Sequence, residues 1–119
     1  MAIHISAVLD RPALGSALKD IARIAGKGAM DVRRAWEAGL PVHSLILGEG
    51  SDFERQIGTF KELVQAASDR GIGVHVHWTD VDPRETSSLT SASEVEVAYA
   101  LNVMEERLTE MRQSGLYGL

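Results

Sequence analysis

Residues 17–37 read ALKDIARIAGKGAMDVRRAWE, two short helical patterns joined by Gly26-Lys27-Gly28. Leu14, Leu18, Ile21 and Ala25 recur at steps of four, three and four, the spacing of one helix face. Pro12 suits the first turn of that helix, where its missing N–H costs nothing. Gly26 is placed to adopt the left-handed conformation that ends a helix, and Gly28 leaves the chain free to start another at a sharp angle. The second helix is expected over 29–38, with Ala29, Val32, Ala35 and Trp36 on its apolar side. Lys19, Arg23, Lys27, Arg33 and Arg34 fall on exposed positions of this hairpin, interspersed with Asp20 and Asp31. Five cations so placed form a candidate binding face, the alternative being an ordinary solvated helix surface.

Outward from the hairpin, alternation takes over. In residues 3–9, Ile3, Ile5, Ala7 and Leu9 fall on one side and His4, Ser6 and Val8 on the other, as in a half-buried strand. After Leu40-Pro41, residues 42–47 read as a second strand closed by Gly48-Glu49-Gly50. Ser51 or Asp52 can cap a third helix, whose apolar positions Phe53, Ile57, Phe60, Leu63, Val64 and Ala67 hold helical spacing through to Gly71. In residues 72–78, Val74, Val76 and Trp78 alternate against His75 and His77. The order β-α-α-β-α-β predicts an α+β domain, a three-stranded antiparallel sheet with helices packed on one face.

This order and the helical hairpin resemble the C-terminal domain of the bacterial ribosomal stalk protein over about residues 2–78. Leu18-Lys19 fall on that family's Ile-Lys pair, Gly26 and Gly28 on the two glycines of its turn, Asp31 on its Glu, Arg33 on its second Lys and Glu37 on its final Glu. Residues 71–76 are similar to its closing strand, and Lys27 stands where the family has a leucine. The resemblance implies a face that docks translational GTPases, with Lys19 and Arg33 as the positions that carry the contact.

The remainder has no counterpart in that family. Residues 79–93, rich in Asp, Ser and Thr with Pro83, read as a linker. In 94–113, Val97, Leu101, Met104, Leu108 and Met111 form an apolar seam, with Glu94, Glu96, Glu105, Glu106 and Glu110 on the other sides. About two and a half heptads do not sustain an isolated coiled coil, so this appended helix needs a surface, either its own domain or a second chain in a homodimer. Residues 1–78 hold nine acids and nine bases, whereas residues 79–119 hold eight acids and three bases, so the whole net charge of −5 lies in the tail. The acidic helix could therefore also lie over the basic hairpin as a lid.

Composition bounds the function. At 119 residues, 45% hydrophobic and 24% charged, the chain has the make-up of one soluble globular domain. No apolar run approaches the roughly 20 residues of a spanning helix, and no basic N-terminal region precedes an apolar one, so the reading is cytoplasmic with no membrane partner. The acidic balance argues against nucleic acid. Zero cysteines excludes disulfides and thiolate chemistry. No cofactor is expected and no metal site is assigned, although alternation sets His4, His75 and His77 on one face as potential imidazole ligands. His43 has no companion, and its strand is apolar on both sides. Motifs for nucleophilic, phosphate-binding or metalloprotease chemistry are missing, so the chain reads as non-enzymatic. Two functions remain. One is an interaction module docking a translational GTPase-like partner through the basic face. The other is an immunity or antitoxin-type inhibitor that caps a basic toxin through Glu105, Glu106 and Glu110.

Overall fold

A computed structural model of the chain describes residues 3–48, 52–79 and 93–114. Three strands follow the alternating stretches: β1 (His4–Leu9), β2 (His43–Ile46) and β3 (Val74–Thr79). Beside them run the helices α1 (Gly15–Ala25), α2 (Ala29–Ala38), α3 (Phe53–Asp69) and α4 (Val97–Ser114). The expected α+β architecture is present. A short fourth strand, β4 (Ser93–Val95), joins the same antiparallel sheet, whose order is β2-β1-β3-β4.

The central place goes to the strand with the longest apolar run. From Ile5 to Leu9 every residue of β1 is buried, so only a position with a neighbour on each edge suits it. It pairs with β2 through Ile5 opposite Leu45 and Ala7 opposite His43, and with β3 through Ala7 opposite Val76 and Leu9 opposite Val74. Ile5, Ala7, Leu9, Leu45 and Val76 thereby share the face that meets the helices in one core. On the other face, buried Ser6 shares a hydrogen bond of 2.9 Å with the hydroxyl of Ser44.

The helices form a layer in which α1 touches both α2 and α3, and α3 in turn touches α4. Gly26 (φ 69°) and Gly39 (φ 71°) end α1 and α2 in the left-handed conformation, each N–H closing onto the preceding turn. Gly28, by contrast, caps α2 with an extended backbone (φ −68°, ψ 146°) open to any residue, so its absence of a side chain is not what turns the chain. Pro12 lies before α1, not in its first turn, because Leu14 is the N-cap. With Leu14 outside the helix, the buried stripe of α1 shifts to Ala17, Ile21 and Ala22. The end of α2 is fastened by Trp36, whose indole Nε1 donates to the carbonyl of Asp10 at 2.6 Å.

The C-terminal region departs most from expectation. The stretch read as linker ends in β4, with Glu94 opposite His77 in the ladder; its residues 80–92 lie outside the described residues. Glu94 and Glu96 were expected on the solvent side of a helix, but they precede α4, and Glu96 supplies only the carbonyl that accepts from the Ala100 N–H at 3.0 Å. The helix itself is no appendage. Ala100, Met104, Leu108 and Met111 are buried in the same core as β1 and α3.

Met104 is fully buried, so Met104→Ala removes apolar volume from the shared core. It is expected to cost about 2–4 kcal/mol, read by urea denaturation as a lower midpoint of one cooperative transition. If α4 unfolded separately, a second transition would appear while the main midpoint stayed in place. Gly58, inside α3, has open space where a Cβ would stand and no positive φ. Gly58→Ala is expected to raise stability by about 0.5–1 kcal/mol, seen as a higher thermal midpoint.

Candidate protein-docking face

Within the α1–α2 hairpin the five cations are not equivalent. Lys27 turns inward to the sheet, donating from Nζ to the carbonyl of Val42 at 3.1 Å. Arg33 is held by Glu37 one turn on, at 3.3 Å. Arg23 stands 3.8 Å from Asp20, whose other oxygen is bonded by Arg70, the residue that caps the end of α3. Lys19 and Arg34 are exposed and form no ion pair among the described residues. Beside Arg33 and Arg34, one turn back on the same face, lies Met30, a large apolar side chain left 59% exposed.

Met30 was not singled out by periodicity. Its signal is visible in retrospect, because it sits two residues before buried Val32 and so points away from the stripe that Val32 and Trp36 bury. An apolar side chain on the outer face of a helix, next to Arg34, which forms no ion pair among the described residues, gives a surface that can be desolvated and steered at once.

The acidic positions of α4 lie at the other end of the helical layer. Glu105 is bound by Lys61 of α3, and Glu110 pairs with Arg107 at 3.3 Å, while Glu106 faces solvent. A second strap, Arg112 to Glu54, joins the same two helices. The groove between them is lined by Ile57, Gly58, Leu108 and Thr109. Of the expected seam, Met104, Leu108 and Met111 are buried and Val97 and Leu101 half-buried against their own domain, with Ala100 as the member that heptad spacing missed. Because α4 rests on α3 and β3, it does not cover the basic hairpin, and the lid arrangement is not the one adopted.

The register keeps His4, His75 and His77 on one sheet face, each opposite a residue other than histidine. His4 stands opposite Ile46 and Thr79, and His77 opposite Ser6 and Glu94. His75 is held through Nε2 by the carboxylate of Asp10. Among the described residues no three His, Cys, Asp or Glu side chains are grouped to hold a metal, so the imidazole set suggested by alternation does not assemble. His43 is the one whose direction only the ladder settles. Opposite Ala7, it points into the core, 5% exposed, with Nε2 lacking a hydrogen-bond partner. Burial, and secondarily the nearby Lys27 ammonium, push its pKa down from 6.5 to about 4.

No family model, no curated protein and no solved structure matches the chain. Among the described residues no helix is long and apolar enough to cross a membrane.

The buried neutral imidazole gives the fold a pH dependence. Between about pH 6.5 and 4 the unfolded chain binds a proton at His43 that the folded chain refuses, so this contribution is complete above 6.5 and is lost as pH falls through that window. Its size is at most about 3 kcal/mol at about 1.4 kcal/mol per unit. His43→Gln is expected to flatten the stability profile between pH 6.5 and 4 in denaturant titrations. Imidazole NMR should follow the His43 midpoint near 4, moving upward in Lys27→Gln; an ordinary midpoint would contradict the buried, core-facing position.

Proposed function

We propose that this chain is a non-enzymatic protein–protein interaction module that docks a protein partner through the α1–α2 hairpin. The observation that carries the reading is the neighbourhood of Met30, an exposed apolar side chain on the hairpin whose cations Lys19 and Arg34 no described carboxylate engages. Such a centre supplies affinity when a partner covers it, while the cations raise the association rate and set the orientation. The resemblance to the stalk C-terminal domain suggests a translational GTPase-like partner, and so a cytoplasmic setting. It carries the contact onto Lys19 and Arg33; the engagement of Arg33 by Glu37 favours Arg34 as the freer cation. A toxin-capping role for the acidic face has less support, because Glu105 and Glu110 are already occupied by Lys61 and Arg107.

The test is binding of purified translational GTPases to the immobilised chain by surface plasmon resonance. Lys19→Glu/Arg34→Glu and Met30→Ser are each expected to weaken binding by at least about tenfold, the charge reversal chiefly through the association rate. All three positions are exposed, so circular dichroism should stay unchanged. Binding that survives both variants would remove the hairpin as the docking face, and loss only on Glu106→Arg would transfer the role to α4.

A further inference from the structure

Two features of the surface complement one another and cannot meet within a single chain. The first is the α1–α2 hairpin, with Lys19, Arg34 and Met30 turned outward. The second is the outer stripe of α4, where Tyr99, Asn102, Glu106 and Glu110 follow at helical spacing and are all exposed. The hairpin is positive and the stripe negative. Met30, at 59%, and Tyr99, at 56%, are the most exposed large apolar side chains among the described residues, and one lies on each surface. Tyr99 is backed by Trp78, ring centroids 6.3 Å apart, which limits the freedom that it would lose on contact.

Helix order keeps the surfaces apart. With α3 between α1 and α4, the stripe and the hairpin belong to opposite ends of the helical layer. We propose that the occupant of the hairpin in the purified protein is the α4 stripe of a second copy of this chain, Tyr99 against Met30 and Glu106 against Arg34 and Lys19. The contact is heterologous, head to tail. Each added copy therefore exposes one new hairpin and one new stripe, and assembly grows with concentration instead of stopping at a dimer unless the rotation closes a ring. This inference does not rest on a translational partner, though such a partner would compete for the same hairpin.

The purified full-length chain should show, in sedimentation velocity, a weight-average mass that rises with concentration at low ionic strength and falls back to the monomer in high salt. Lys19→Glu/Arg34→Glu alone and Glu106→Lys alone should each remain monomeric at every concentration. An equal mixture of the two should associate again, because it reunites one native hairpin with one native stripe. A wild-type chain that stays monomeric, association indifferent to salt, or a mixture that fails to recover would each overturn the proposal. A docking partner that binds the wild-type monomer through Met30 would leave the functional reading intact in all three cases.

Discussion

Burial of β1 on both its faces and along both its edges is the requirement around which the other elements arrange themselves. A strand whose five residues from Ile5 to Leu9 are all buried needs a paired neighbour on each side and a layer of apolar side chains above its core face. The neighbours β2 and β3 satisfy its edges, and α1 and α3 bring Ile21, Phe60 and Leu63 to the core that Ile5, Ala7 and Leu9 enter. The same demand reaches α2 indirectly. Trp36 is fully buried and its one donor ends on the carbonyl of Asp10, the residue that follows β1, so the hairpin is tied to the end of the central strand.

Once α1 and α3 are in place, the core still has an open flank beside α3 and β3. Helix α4 closes it with Ala100, Met104, Leu108 and Met111, and the Lys61–Glu105 and Glu54–Arg112 pairs strap its exposed side to α3. These pairs lie at the surface, where such contacts contribute little each, so burial of the apolar stripe holds the helix and the ion pairs set its register. Ordering of β4 against β3 immediately before α4 delivers the helix to that flank.

The packing also sorts the charges. Lys27 is drawn to a backbone carbonyl beside β2, next to a histidine that the core keeps neutral, while Arg33 and Arg23 are paired locally. What remains for a partner is a smaller surface than the five cations promised, but one with an apolar centre. Sequestering α4 on α3 leaves this hairpin clear of α4, and it sets the acidic stripe on the opposite flank, where Glu106 is exposed and forms no ion pair among the described residues.

Periodicity by itself determined the three longer strands, the four helical segments and the identity of most core residues, because alternation and 3.6-residue spacing are local consequences of which side of an element is dry. It also determined that the cations share a hairpin and that the net charge belongs to the C-terminal region. Tertiary structure alone decided what depends on a partner element: the inward direction of His43 through its register with Ala7, the spacing that keeps His4, His75 and His77 from grouping as ligands on their shared face, and the conversion of Ser93–Val95 into a paired strand. It likewise decided that the seam of α4 is spent on its own domain, and which cations are left free. Three residues of edge strand and a seam of two and a half heptads carry too little local preference to declare their partners, so only the open flank of the sheet and the core beneath α3 could assign them.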